Sequence, residues 1–172
     1  AYDLMLDVDD SDFNNNSGTN NADGIYATNT GSGSLTLYAV SSAFNGNSTS
    51  GDDSYANGVG AENFSTTGQV TVDVGNSTFN DNTAAGSSSL ASGLLVNNTS
   101  SGEMVVDATN SVFNGNTAND ASGQAFGLQA NSTGAGDINI TASSSEFNNN
   151  TATSGIAAGL YVYNFATGDV QI

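Results

Sequence analysis

One seven-residue motif, Ser-x-Phe-Asn-x-Asn-(Ser/Thr), recurs five times along the chain and constrains the fold more than any other feature. Its copies read SDFNNNS, SAFNGNS, STFNDNT, SVFNGNT and SEFNNNT. The phenylalanines of these copies are Phe13, Phe44, Phe79, Phe113 and Phe147. A repeat of about 34 residues is typical of proteins that stack one supersecondary unit many times. The chain is therefore treated as five copies of one unit.

An alternating apolar run precedes every copy of the Phe motif at a constant distance. The run begins nine positions before the Phe in each unit, at Leu4, Leu35, Val70, Met104 and Ile138. The same side of the run continues with Leu6 and Val8, Leu37 and Ala39, Val72 and Val74, Val106 and Ala108, and Ile140 and Ala142. Alternation with a period of two indicates a β-strand.

A third block, Ala-x-Gly-(Ile/Leu/Val)-x-(Ala/Val), follows each Phe motif. Its glycines are Gly24, Gly58, Gly93, Gly127 and Gly159. An asparagine follows five positions later in four units, at Asn29, Asn63, Asn98 and Asn164. The stretch between the Phe motif and this block differs in length and sequence from unit to unit, which is typical of loops on one face of a repeat protein.

Each unit thus carries three short apolar strands and shows no helical period. If one unit forms one coil, every apolar position lies over its own copy at about 4.8 Å. The sequence predicts an all-β fold, a parallel β-helix, in which five coils of about 34 residues with three short strands each form a single domain over residues 1–172. A β-propeller is the competing interpretation, but its blades usually need about 40 to 50 residues and four strands.

The repeated side chains have structural interpretations. We expect the five Phe rings to point inward and form an aromatic stack. The Asn that closes the motif should lie at a turn, where it can adopt a left-handed φ and hydrogen-bond to its copy in the next coil. These residues are Asn16, Asn47, Asn82, Asn116 and Asn150. The serine two positions before each Phe should be inward and bonded to backbone, and the repeated Gly should allow a tight bend with close backbone approach.

The charge balance excludes several classes of function. The chain contains no Lys, Arg, His, Pro, Cys or Trp, and its formal net charge is −17. Nucleic acid and anionic lipid would be repelled, so neither is an expected partner. No stretch approaches the roughly 20 apolar residues of a membrane span, so direct insertion into a membrane is not expected either. Counter-ions must balance the charge, which favours a salty or calcium-containing exterior.

The densest acidic cluster is a weak candidate for a metal site. It consists of Asp7, Asp9, Asp10 and Asp12. The cluster lacks the central Gly and terminal Glu of an EF-hand loop, so a solvated acidic edge is the favoured interpretation. No cofactor is expected apart from calcium or other counter-cations.

Catalysis has to be considered because β-helices also occur among polysaccharide-cleaving enzymes. A hydrolase would need two or three carboxylates that converge on one exposed face. Asp7, Asp73 and Asp107 share a phase after the first strand, with Tyr38 and Thr141 in the other two units. Only Asp73 and Asp107 would be neighbours, and the chain lacks the common His base and the Cys and Lys nucleophiles. The sequence therefore predicts a protein that is not an enzyme.

Two further roles have little support in the pattern. Nine Asn-x-(Ser/Thr) sequons are present, but a chain so rich in these residues would contain about six by chance. Ice binding would need a regular array of threonines on the outer face of the first strand. The residues there are Met5, Thr36, Thr71, Val105 and Asn139.

With its three motifs placed, the chain resembles bacterial surface β-helix repeats of the polymorphic outer-membrane and autotransporter-passenger type. Phe-x-x-Asn matches in all five units, whereas Ala-x-Gly-(Ile/Leu/Val) stands where those repeats carry Gly-Gly-Ala. The resemblance covers nearly the whole chain. It implies a right-handed parallel β-helix, display outside the cell or on its surface, and a role in adhesion or as a scaffold.

Both ends of the sequence fall inside the first strand of a unit, so we expect a solenoid without polar caps. Ile172 corresponds in phase to Leu6. The expected partners are copies of the chain or flanking repeats, stacked end to end. The expected function is a structural segment of an extracellular filament or cell-surface fibre. The alternative is an adhesin or passenger domain that binds a host or surface glycan through the variable loops, and a polysaccharide hydrolase is a remote alternative.

Overall fold

The computed structural model describes residues 2–165 and 167–172, and this part of the chain contains β-strands and no helix. The strands in chain order are β1 (Leu4–Asp7), β2 (Ser17–Gly18), β3 (Asn21–Asn29), β4 (Leu35–Tyr38), β5 (Ser48–Thr49), β6 (Tyr55–Asn63), β7 (Val70–Asp73), β8 (Thr83–Ala84), β9 (Leu90–Asn98), β10 (Met104–Asp107), β11 (Thr117–Ala118), β12 (Gln124–Ser132), β13 (Ile138–Thr141), β14 (Thr151–Ala152), β15 (Ile156–Asn164) and β16 (Val170–Gln171).

These strands form three parallel sheets that run the length of the molecule. The first sheet has the order β1-β4-β7-β10-β13-β16, and the second, of two-residue strands, has the order β14-β11-β8-β5-β2. The third, which we call the long-strand sheet, has the order β15-β12-β9-β6-β3. Each strand pairs with its own copy in the next coil, as in the register Leu4↔Leu35. The predicted parallel β-solenoid of five coils with three strands each is therefore confirmed.

The three strands of a coil are distributed differently from the motifs that predicted them. The Phe motif makes only an isolated bridge to its neighbours, such as Ala43↔Thr78. The short second strand begins only at the last residue of the motif, because the Asn side chains before it compete with a regular backbone ladder. The third strand is nine residues long and spans the repeated Gly, which has no partner in the paired register.

The core is built from columns of identical or similar side chains. Phe44, Phe79 and Phe113 are fully buried. Successive Phe rings stack with centroid distances of 5.4, 5.1, 4.7 and 4.9 Å from Phe13 to Phe147. The apolar side of the first strand packs against the same cluster. Because each ring contacts its copies above and below, one residue type fills the centre of every coil.

The repeated glycines allow the long strands to lie against this aromatic stack. A Cβ on Gly58 would stand 2.6 Å from the carbonyl oxygen of Gly93 and 2.9 Å from Cδ1 of Phe79. Real Cβ atoms do not approach backbone so closely, so only glycine fits beside the ring. This is the close backbone approach that the sequence predicted.

A ladder of asparagine amides runs along the axis beside the Phe stack. The Nδ2 of each Asn donates to the Oδ1 of its copy in the next coil at 2.8, 2.8, 2.9 and 2.8 Å. The same Oδ1 also accepts the backbone N–H of the preceding copy, as from Asn47 N to Asn82 Oδ1 at 3.1 Å. Asn47, Asn82 and Asn116 are fully buried, and these bonds satisfy amides that would otherwise be costly to bury.

The turn geometry differs from the prediction at one position. The left-handed φ does not lie at the ladder asparagine but at the residue before it. That position is occupied by Asn15, Gly46, Asp81, Gly115 and Asn149, with φ between 57° and 71°. The ladder Asn cannot take this conformation, because its own backbone N–H must point at the next coil. The preceding residue therefore makes the turn, and Gly and Asn or Asp are the residues that tolerate it.

Two further ladders bond the Phe motif to the neighbouring coils. The Oδ1 of the first Asn of each motif accepts a backbone N–H from the next coil, as from Asn80 N to Asn45 at 2.7 Å. The hydroxyl of the repeated serine both accepts and donates a hydrogen bond to the preceding coil. Ser77 Oγ accepts from Ser42 N and donates to the carbonyl of Ala39. The asparagine at the end of the long strand closes the following turn, as Asn98 Nδ2 donates to Gly102 O at 2.8 Å.

Removal of one buried ladder amide should be strongly destabilising. Asn82→Ala leaves the backbone N–H and Nδ2 of Asn47 and the carbonyl of Phe44 without their partner. We expect a loss of about 2–4 kcal/mol in the free energy of unfolding, measured by urea denaturation. The exposed Asn119, changed to Ala, is the matched control and should shift stability by less than about 0.5 kcal/mol. Equal effects of the two substitutions would contradict the role of the ladder.

Glycine should be irreplaceable at the bend of the long strand. Gly58→Ala introduces a methyl group that collides with backbone and with the Phe79 ring. We expect a loss of about 1–3 kcal/mol, visible as a lower Tm. Gly75→Ala serves as the control, because its nearest neighbour would stand at 3.4 Å. A Gly58→Ala protein as stable as the Gly75→Ala protein would argue against this packing.

Candidate functional site

The outer face of the long-strand sheet carries the most varied side chains of the molecule. Four outward positions flank the Gly bend in each coil, and their copies form columns in register. Two of these columns adjoin the bend. The first consists of Asp23, Asn57, Ser92, Phe126 and Ala158, and the second of Tyr26, Gly60, Leu95, Gln129 and Tyr161.

From the third to the fifth coil, larger side chains narrow the space between these two columns. Leu95 and Phe126 are buried although they point away from the main core. The ring of Phe126 stacks on Tyr161 with a centroid distance of 4.8 Å. Phe126 and Tyr161 therefore form a packed layer at the fourth and fifth coils, and Leu95 and Gln129 border the space that stays open.

At the first two coils the same space is open. Gly60 has no side chain to fill it, and the ring of Tyr26 leans over the vacant position, with Cδ2 2.9 Å from where a Cβ would be. The result is a groove of about 430 Å³. It is lined by Asn21, Asp23, Tyr26, Tyr55, Asn57, Glu62, Leu90, Leu95, Asn97, Gln129 and Asn131.

A chain of hydrogen bonds holds the polar wall of the groove. Glu62 accepts from Tyr26 Oη at 2.5 Å and from Asn97 Nδ2 at 2.7 Å. Asn131 Nδ2 donates to Asn97 Oδ1 at 2.8 Å. Gln129 Nε2 makes a longer bond of 3.4 Å to Asn131 Oδ1. Both oxygens of Glu62 are thus engaged inside the protein.

Two buried amide oxygens of the wall have no such partner. Among the described residues, the buried side-chain atoms without a hydrogen bond are Asn57 Oδ1, Ser92 Oγ and Gln129 Oε1. Asn57 and Gln129 line the groove and are only 2% and 7% exposed. An unpaired buried acceptor costs about 1–3 kcal/mol, so a small rotation of either amide that brought its covered oxygen to a donor in the groove would be favourable.

The titratable groups of the groove are shifted by their surroundings. Burial raises the pKa of Asp23, against the lowering effect of the hydrogen bond from Asn57 Nδ2 at 2.8 Å. The nearby charge of Glu62 raises it further. The hydrogen bond to Glu62 raises the pKa of Tyr26 to about 12, so the phenol stays protonated and donates.

The acidic cluster proposed from the sequence does not converge. Asp7 pairs with Tyr38 in the first sheet, and Asp9 Oδ1 accepts the backbone N–H of Val40 at 2.8 Å. Within residues 2–165 and 167–172, no three carboxylates lie close enough to hold a metal ion. The positive φ at Asp10 interrupts the extended chain within the cluster, so alternation does not keep the four side chains on one side.

The carboxylates considered for hydrolysis serve turns instead. Asp73 and Asp107 are register partners, as their phase indicated. Asp73 Oδ1 accepts from Gly75 N at 3.0 Å, and Asp107 Oδ1 accepts from Thr109 N at 2.9 Å. Asp7 is separated from them by Tyr38.

The groove itself did not emerge from the sequence. Its residues lie in the Ala-x-Gly blocks or directly beside them, and these blocks were interpreted only as architecture. The available signal was the outward column with Gly60 between Tyr26 and Leu95, because a lone Gly among large residues marks a gap in a surface layer. That signal becomes visible only when the pairing register is known.

Comparisons with protein-family models, with curated proteins and with solved structures found no match to this chain. Over the described residues there is also no helix that is long and apolar enough to cross a membrane.

The partly buried carboxyl of Asp23 should destabilise the fold at neutral pH, so its removal should raise the thermal stability in a pH-dependent way. Its pKa in the folded state lies above the ordinary value of 3.8, so folding favours the protonated form, and this contribution is lost as the pH rises through the folded-state pKa. Asp23→Asn should therefore raise Tm at about pH 7, and the difference from the parent should vanish at about pH 3. Thermal melts at both values test this.

The control for net charge is Asp10→Asn, which removes an exposed carboxyl at a turn that Asn also tolerates. It should not reproduce the effect of Asp23→Asn. A lower Tm for Asp23→Asn at neutral pH would contradict the assignment.

Proposed function

We propose that the chain is a structural segment of an extracellular filament or cell-surface fibre, in which coils stack end to end. Its partners are copies of itself or flanking repeats that continue the same solenoid. The observation that carries the proposal is the register of the five coils, in which every core and ladder position lies over its own copy.

The column chemistry supports continuation in both directions. The Phe stack and the Asn ladder use the same contacts at every step, so a sixth coil would need no new kind of interaction. Phe13 and Phe147, in the outer coils, are only partly buried, whereas the inner rings are fully buried. A further coil on either side would complete their burial and add to the hydrophobic stabilisation.

The outer strands of the first sheet offer backbone for such a coil. Leu4 and Val8 donate their N–H groups to Ser34 O and Tyr38 O in the second coil. Alternate residues of a parallel strand point their N–H groups to opposite sides, so the N–H of Met5 points away from β4. Met5 is 66% exposed. An edge of this kind is a template for the addition of another strand.

The charge of the chain supports an extracellular setting. Seventeen carboxylates with no Lys or Arg repel one another when copies approach end to end. Salt screens this repulsion over about 8 Å at physiological ionic strength. Assembly would therefore be strongest where salt or divalent cations are abundant, as outside cells.

A non-catalytic role accords with the use of the carboxylates on the first sheet. Asp73 and Asp107 are occupied in turn formation and stand beside Tyr38 and Thr141 rather than in a cleft. The strands of that sheet contribute contacts between coils, which is the property that a fibre needs.

End-to-end stacking can be tested by blocking one edge. Met5→Pro removes the outward N–H of β1 and leaves the bonds from Leu4 and Val8 to the second coil in place. We expect the parent chain to form filaments in electron micrographs, with an axial rise of about 4.8 Å per coil. The Met5→Pro chain should remain a monomer of 17.2 kDa by light scattering.

Met5→Ala is the matched control, since it shortens the same side chain but keeps the backbone N–H. It should still assemble. The proposal fails if the parent chain stays monomeric at high concentration and high ionic strength. It also fails if Met5→Ala and Met5→Pro impair assembly equally.

A further inference from the structure

We propose that the groove on the outer face of the long-strand sheet binds a neutral, linear oligosaccharide. The site is separate from the surfaces that stack coils, because it opens sideways from the first to the fourth coil. It also differs from the variable loops, which lie between the short strands and the long strands.

The groove contains acceptors that lack a hydrogen-bond donor. Asn57 Oδ1 and Gln129 Oε1 are buried acceptors without a partner, and both side chains line the groove. A rotation of either amide would turn its covered oxygen toward the groove, and a ligand that then satisfies it must present hydrogen-bond donors. Sugar hydroxyls are donors of this kind, and they also accept from amide N–H groups such as those of Asn97 and Asn131.

The groove is long enough for an extended ligand. Asn57 belongs to the second coil and Gln129 to the fourth, so the two are about 10 Å apart along the axis. No single ion or small hydrogen-bond donor reaches both. An extended molecule with several hydroxyl groups along its length does, and a short linear oligosaccharide has that form.

The groove also has an apolar surface. Tyr26 and Tyr55 are 53% and 46% exposed beside the groove, and Leu90 and Leu95 line it. Exposed aromatic rings next to fixed polar groups are the usual composition of a ligand site. The C–H face of a sugar ring can pack against such a tyrosine while its hydroxyls bond to the amides.

The charges in and around the groove favour an uncharged ligand. The net charge of −17 repels uronate or sulfated sugars. Glu62 has both oxygens engaged by Tyr26 and Asn97, and burial favours the uncharged form of Asp23. A basic peptide would therefore have to compete with the internal hydrogen bonds that Glu62 and Asp23 already accept. The site fits an uncharged ligand better than either kind of ion.

The test is isothermal titration calorimetry with cellotetraose, xylotetraose and mannotetraose, together with tetragalacturonate and tetralysine as charged probes. At least one neutral tetraose should bind, and neither charged probe should bind more tightly than it. Absence of binding by all three neutral sugars, or tighter binding of a charged probe, would overturn the proposal.

Variants locate the binding in the groove. Gly60→Leu places in the second coil the residue that the third coil carries at Leu95, so it fills the groove and should weaken binding by about tenfold or more. Tyr26→Ala removes an aromatic face and should weaken it by about tenfold. Tyr163→Ala, on the same sheet but outside the groove, should leave affinity unchanged.

Asn57→Ser keeps the test decisive if Gly60→Leu does not fold. It introduces the side chain found at Ser92 in the next coil and should weaken binding about fivefold through loss of the amide oxygen. Unchanged affinity in the folded groove variants would overturn the assignment. Because binding is measured on the side of the solenoid, the monomeric Met5→Pro chain should bind as the parent does, which separates this result from the fate of the stacking proposal.

Discussion

Hydrogen bonding between coils is the constraint on which the structure depends. Each strand bonds only to its copies, so a residue that is unsuitable at one level disturbs the levels on both sides. The chain meets this demand by repeating an identical or similar side chain at each core and ladder position. Differences in coil length are absorbed elsewhere. Ser11 and Ser42 are 31 residues apart and Ser42 and Ser77 are 35 apart, yet both pairs make the same ladder bond.

The unusual composition follows from the same constraint. Asparagine can donate and accept at once, so a column of asparagines bonds to itself and to the backbone of the neighbouring coils. Lysine and arginine only donate and carry charge, so they cannot form such a ladder inside the molecule. The buried amides of Asn47, Asn82 and Asn116 take the place of disulfides and buried ion pairs in connecting the coils. An abundance of Asn and Ser therefore marks order in this chain.

The fold could be predicted because its signals repeat. The constant spacing from Leu4 to Phe13, found again in every unit, fixed the phase of the first strand and of the aromatic stack. Two details could not be predicted from the repeat. The left-handed turn lies at Asn15 rather than at Asn16, because the backbone N–H of Asn16 donates to Asn47 in the next coil. This requirement is visible only in the three-dimensional structure. The groove depends on departures from the repeat at Gly60 and Asp23, and repeat analysis discards such departures as variation.

The Asn ladder also gives the solenoid a direction. Each amide–amide bond of the row has the same sense: the Nδ2 of one copy donates to the Oδ1 of the next copy toward the C-terminal end, from Asn16 as the first donor to Asn150 as the last acceptor. The amide dipoles are thus aligned, and the two faces of a coil are chemically unlike. Two copies that met through identical faces would oppose donor to donor and break every column. Head-to-tail addition of copies in one orientation preserves the row. A fibre made this way is polar, and its two ends are chemically different.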